Sequence, residues 1–160
     1  MAKFHAQTLL TTDLATAYTA MVDQALTIRK YESLGNTEVQ VDITEQDPGC
    51  RIHARRRVSV DLPGFMTKLM SPTNMYDQVD TWNPGSGGHH GQFEITVEGA
   101  PIHVSGTMSL REVAGGVDYV VDGEVKVSIP FVGAMASGFA AEQAGKVAAQ
   151  EGRFLKGLLG

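Results

Sequence analysis

The sequence predicts an α+β fold in which a curved antiparallel sheet of about seven strands is covered by one long terminal helix. Three observations predict it. The apolar period changes from helical to two after Gly35 and stays there for about ninety residues. Every connection within that stretch is of hairpin length, which rules out the crossovers of a dozen or more residues that parallel neighbours need. Finally, the segment from Ile129 to Gly160 enters through Pro130, meets no further proline, and repeats small residues at spacings of four and three.

Taken in order, Lys3 to Leu10 alternates, with Phe4, Ala6, Thr8 and Leu10 on one side, as a half-buried strand does. Thr11-Thr12-Asp13 then supplies an N-cap and a first-turn acid, and Leu14, Tyr18, Met21, Val22 and Ala25 follow at helical spacings. The series continues through Leu26, Ile28 and Tyr31 to a left-handed C-cap at Gly35, so two short helices split near Asp23 are expected. Val39, Val41 and Ile43 form the first arm of a hairpin that turns at Asp47-Pro48-Gly49; Ile52, Ala54, Val58 and Val60 form the second. After Leu62-Pro63-Gly64, the cluster Phe65, Met66, Leu69 and Met70 reads as one or two helical turns over an opening. Strands follow over Asn74 to Trp82, Gln92 to Glu98, Ile102 to Leu110 and Tyr119 to Val127. Turns at Asn83 to Gly88, Gly99-Ala100-Pro101 and Gly115-Gly116 separate them.

Ile129 to Gly160 reads as the long helix. Its stripe of Ala134, Gly138, Ala141, Gly145, Ala148 and Gly152 lets a broad surface approach closely. That close packing offsets the roughly 1 kcal/mol each interior glycine costs against alanine. At about 1.5 Å per residue the helix is on the order of 40 Å long, enough to lie along the whole concave side of the sheet. A straight helix on a curved sheet touches at its ends and gaps in the middle, and such a gap binds something apolar.

Composition narrows the functions. With 160 residues and 42% apolar content the chain suits a single domain over residues 1–160. A formal charge of −5 argues against nucleic-acid partners, which require a basic face. Cys50 stands alone, so no internal disulfide forms, and Met1-Ala2-Lys3-Phe4-His5 lacks the apolar run of a signal peptide. The expected compartment is the cytoplasm. Glu142, Lys146, Glu151 and Arg153 interrupt the longest helix, so no integral membrane segment is expected. Oligomeric state is open between a monomer and a weak dimer.

Among candidate site residues, Arg56 stands out. Arg51, Arg55 and Arg57 fall on the wet face of their strand, whereas Arg56 is in phase with Ile52, Ala54, Val58 and Val60. Its guanidinium is aimed at the apolar side and needs either Asp77, Asp80 or Glu142, or the head group of a ligand. Met66 and Met70 lie over the opening, and Tyr76, Trp82, Phe93, Met108, Tyr119, Met135 and Phe139 are expected between sheet and helix as ligand-binding walls, roles that ordinary core residues share. His89 and His90 are adjacent on a glycine-rich hairpin tip and point to opposite sides, so they do not share a metal, and no cofactor motif is present. His103 belongs to the outer face. No nucleophile or acid–base pair of recognisable spacing appears, so no catalytic residue is assigned.

The order of elements resembles the helix-grip fold of the START, polyketide-cyclase and pollen-allergen superfamily over essentially the whole chain. Gly123-Glu124-Val125-Lys126-Val127-Ser128-Ile129-Pro130-Phe131-Val132-Gly133 with its downstream helix is similar to an uncharacterised family within it. So are Arg56-Arg57-Val58 followed by Asp61-Leu62-Pro63, and Gly99-Ala100-Pro101 before Gly106. Where that family would carry an acid and larger side chains after Gly133, this chain reads Ala134-Met135-Ala136-Ser137-Gly138, a smaller helix start that widens the cavity. The resemblance implies architecture and no catalytic residues. The expectation is a binding module for a hydrophobic small molecule or lipid, apolar or amphipathic and lipid- or polyketide-like; the alternative is a cyclase or dehydratase acting in the same cavity. A third possibility, docking of a partner on the small-residue stripe, requires that stripe to be exposed.

Overall fold

The structure, a computed structural model describing residues 1–160, is built on a seven-stranded antiparallel sheet. The strands are β1 (Ala2–Leu10), β2 (Thr37–Gln46), β3 (Gly49–Ser59), β4 (Thr73–Gly85), β5 (Gly88–Val97), β6 (Ile102–Val113) and β7 (Gly116–Val127). Strands β2 to β7 form a meander, and β1 pairs with β7 at the end of the sheet, giving the order β1-β7-β6-β5-β4-β3-β2. The helices are α1 (Leu14–Met21), α2 (Gln24–Ser33) and α3 (Gly133–Leu159). The curved sheet and its long terminal helix match the expected helix-grip layout.

Local chemistry sets the boundaries. Asp13 caps α1 by accepting from the Thr16 N–H at 2.7 Å, and Asp23 caps α2 by accepting from the Leu26 N–H at 2.8 Å. The split therefore falls at Asp23, and Gly35, at φ 88°, ends the helical region. The terminal helix starts four residues later than Ile129, at Gly133. Phe131 adopts φ 68°, and the Val132 N–H bonds back to the Pro130 carbonyl at 2.9 Å, a tight turn that no helix passes through. Residues 63–70 are a string of hydrogen-bonded turns rather than a helix, with the Met66 N–H on the Pro63 carbonyl and the Met70 N–H on the Met66 carbonyl. Strand β4 runs on to Gly85, so the hairpin turn shrinks to Ser86-Gly87, and His89 and His90 are strand residues instead of a loose tip.

Helix α3 packs chiefly on β1 and β7 and is pinned at both ends. The Ser137 hydroxyl accepts from the Val127 N–H at 3.0 Å, while the Gly160 carbonyl accepts from the Thr11 N–H at 2.7 Å. Between them Ala141, Ala148 and Gly152 are buried. At Gly152 a Cβ would lie 2.1 Å from the Thr8 hydroxyl oxygen, so the close approach requires glycine there. The stripe is thus covered by the sheet from Ala141 onward, and partner docking along its length is overturned; only Ala134 and Gly138 remain open. On the inner face of the sheet Gly106 and Gly123 sit opposite each other, leaving room for the rings of Phe4 and Phe93, 6.4 Å apart.

Candidate ligand-binding cavity

Between the concave face of the sheet, α2, α3 and the 58–70 segment lies a cavity of about 350 Å³. Of its 36 lining residues 24 are hydrophobic, so most of a bound molecule would meet apolar surface. Arg56, Met66, Met70, Tyr76, Trp82, Phe93, Met108, Tyr119 and Phe139 all line it, as the sequence suggests. Met135 does not. It is 61% exposed, because the inward arc of α3 passes through Ala136, Ser137, Ala140 and Ala141 and carries Met135 out past the rim.

One part of the wall is polar. Alternation along β4 puts Tyr76, Gln78, Asp80 and Trp82 on the same face, opposite Arg56 of β3, whose register partner is Tyr76. Arg56 is 4% exposed, and its Nη2 donates to Gln78 Oε1 at 2.8 Å. Gln78 Nε2 in turn donates to Asp80 Oδ1 at 2.8 Å, so the amide stands between guanidinium and carboxylate. The guanidinium lies over the Tyr31 ring at 4.1 Å and beside Tyr76 at 5.8 Å. Lys30 of α2 is buried at the same place, with its Nζ 5.0 Å from the Tyr31 ring centre. Of the three acids considered for Arg56, Asp77 faces outward to His53 at 2.8 Å. Glu142 meets Lys146 at 3.5 Å on the surface of α3, and Asp80 is reached only through Gln78.

Burial pushes the Asp80 carboxyl above the usual carboxylate range, against the Gln78 hydrogen bond and the Lys30 charge. At Lys30 burial opposes the ammonium, yet Tyr31, Glu151 and Asp80 hold its pKa above the ordinary lysine value. Burial drives the Tyr119 phenol well above its usual value, so it remains a neutral donor. Sequence reasoning missed Lys30 and Gln78. Thr27, Lys30, Tyr31 and Leu34 form an inward stripe at helical spacing, and Gln78 shares the phase of Tyr76 and Trp82, so both signals were present in the chain.

Outside the cavity, His89 stacks on Tyr18 with ring centres 3.8 Å apart, and Tyr18 meets Trp82 edge-on. Burial, with His90 beside it, lowers the His89 pKa. Nowhere do three or more His, Cys, Asp or Glu side chains gather so as to hold a metal ion. His103 is exposed, 3.9 Å from Glu94.

A family model described as "Protein of unknown function (DUF2505)" matches residues 5–159. The chain belongs to the DUF2505 family. Among curated proteins, none matches its sequence. Solved structures share the fold at low identity. A Thermus thermophilus protein, TTHA0849, superposes with a TM-score of 0.68 at 11% identity, over 98% of this DUF2505 chain and 96% of its own. A START superfamily protein from Mycobacterium smegmatis gives 0.58 at 13% identity, over 99% and 97%. Dicamba monooxygenase, solved bound to 3,6 dichlorosalicylic acid, gives 0.53 at 14% identity, over 99% of this chain and 49% of that one. The DUF2505 chain therefore has a START-like fold, and no helix in it is long and apolar enough to cross a membrane.

Proposed function

We propose that this DUF2505 protein binds an apolar or amphipathic small molecule, lipid- or polyketide-like, in the cavity between sheet and α3. A single observation carries the reading: a largely apolar cavity of about 350 Å³ with one polar inset, at Arg56. Apolar wall supplies affinity by removing hydrocarbon from water, and a lone polar inset fixes orientation. Met66, Met70, Trp82, Phe93, Met108 and Phe139 hold the body of the molecule, while Tyr76 and Tyr119 offer hydroxyls. The START superfamily neighbour and the ligand-bound monooxygenase are compatible with a binding role for such a fold. We propose the cytoplasm as its compartment, a reading supported by the lone Cys50, which leaves no internal disulfide.

Native mass spectrometry of the purified protein, followed by denaturation and solvent extraction, tests the reading. The expected result is a stoichiometric adduct that releases a small amphipathic molecule. A clean apo mass that persists after incubation with single-chain amphiphiles contradicts it. Asp80 and Lys30 place titratable groups in the cavity and so favour a second reading, a cyclase or dehydratase. Under that reading the extracted molecule differs from the one supplied by ring closure or loss of water.

A further inference from the structure

Four buried side-chain polar atoms have no hydrogen-bond partner, and three of them come together: Arg56 Nε, Arg56 Nη1 and Tyr31 Oη. All three can donate. None of the three has an acceptor within reach. Neither Arg56 nor Lys30 has a carboxylate within ion-pairing distance: Asp80 and Glu151, which also line the cavity, act on Lys30 from farther off, and the one hydrogen bond Arg56 makes goes to a neutral amide. A buried guanidinium is stable only when paired or fully hydrogen-bonded. Asp80, the acid on the same face, is held off by Gln78.

We infer that the polar inset is a carboxylate site: the ligand carries one carboxylate, received by Arg56 with Lys30 beside it, on an apolar body of about a dozen non-hydrogen atoms. Size comes from the cavity. At about 30 Å³ per water-sized atom group, 350 Å³ holds roughly a dozen, which suits a medium-chain fatty acid or a two-ring aromatic acid better than a two-chain phospholipid. Charge comes from the donor surplus, since a carboxylate offers two oxygens to the donors that Gln78 leaves unused. The unpartnered nitrogens are covered, so an incoming acceptor parts the side chains around them, and half-buried Tyr76 is the one beside the guanidinium.

This inference rests on the proposed binding function, and the test separates the two. Sodium decanoate and decan-1-ol, matched in body and differing in head, are titrated into the intact chain near pH 7.5, with Trp82 fluorescence as the reporter; Trp82 is the only tryptophan and lines the cavity. Decanoate is expected to bind at least tenfold more tightly than decanol. Arg56→Met should bring decanoate down to the level of decanol and leave decanol unchanged, whereas Arg55→Met, on the outer face, changes neither. Equal binding of the two by the native chain overturns the carboxylate site while leaving the cavity reading intact. Binding of neither overturns both. The native-chain comparison needs no variant and so stands even if Arg56→Met fails to fold, and two-chain phosphatidylglycerol binding as tightly as decanoate overturns the size limit.

Discussion

Arg55 and Arg56 are neighbours on β3, yet one guanidinium meets a carboxylate in water and the other a neutral amide in the interior. On the outer face Arg55 Nη2 lies 2.7 Å from Glu98, Arg57 pairs with Glu38, and His53 pairs with Asp77, all at least partly exposed. These pairs contribute little to stability, because water solvates each member nearly as well as its partner does. The inner face gathers Lys30, Arg56, Gln78 and Asp80 where water is scarce and leaves donors without acceptors. Such an arrangement costs folding energy unless an added group completes it. Charge in this sheet is thus solvated and paired on one side, and on the other buried with donors unpartnered, where we propose that a ligand completes it.

Substitutions that breach the inner face should therefore do most. Gly106→Val places side-chain atoms against the Asp122 carbonyl, 2.1 Å from an added Cβ, and the Phe93 ring, and is expected to destabilise the fold by about 3 kcal/mol in urea titration. The adjacent outer-face change, Thr107→Val, should move stability by less than about 0.5 kcal/mol. On α3 the contrast lies between Phe139, which lines the cavity, and Met135, which does not. Phe139→Ala is expected to weaken decanoate binding by about 1 kcal/mol, roughly fivefold, from lost apolar contact, and Met135→Ala to leave it unchanged.

Protonation gives the comparison opposite signs. The Asp80 carboxyl, raised above its ordinary 3.8 by burial, is a group for which the folded chain holds its proton more tightly than the unfolded chain. Its contribution to stability is present below that value and is lost as pH rises through the raised one, a slope that Asp80→Asn removes. At the exposed α1 cap, the Thr16 hydrogen bonds lower the Asp13 pKa, so its contribution is present above 3.8 and is lost as pH falls through the lowered value. Thermal melts of the native chain and the Asp80→Asn and Asp13→Ala variants, from acid to neutral pH, check both slopes. Least of all, His5→Gln at the exposed pair with Asp122 should give no measurable change in Tm near neutrality, where that histidine's raised pKa is screened by solvent.

Alternation made the sheet and the inward aim of Arg56 legible, because one wet and one dry face impose a strict period of two on every strand. The two short helices were equally plain from Asp13, Asp23 and Gly35. Their chemistry was less so: Lys30 follows Arg29 in a polar run, and lysine is a surface residue by composition, so only its spacing from Thr27 and Leu34 marks it as inward. Met135 shows the converse failure. Its spacing of four from Phe139 matches a common face, but the buried arc at that end of α3 runs through Ala136 and Ser137, the latter bonded to Val127, and leaves Met135 outside. The late start of α3 depends on the left-handed turn at Phe131, which a non-glycine residue does not announce.

If the cavity receives a single-chain amphiphile, as proposed, plugging it abolishes binding. Ala144 lines the cavity from α3 and is half-buried, so Ala144→Phe fills the space that a ligand body would use. Calorimetric titration with decanoate should show saturable one-to-one binding to the native chain and none to the plugged variant, with the same far-ultraviolet circular dichroism for both. Undiminished binding by a folded Ala144→Phe chain, or no saturable binding by the native one, would contradict the account.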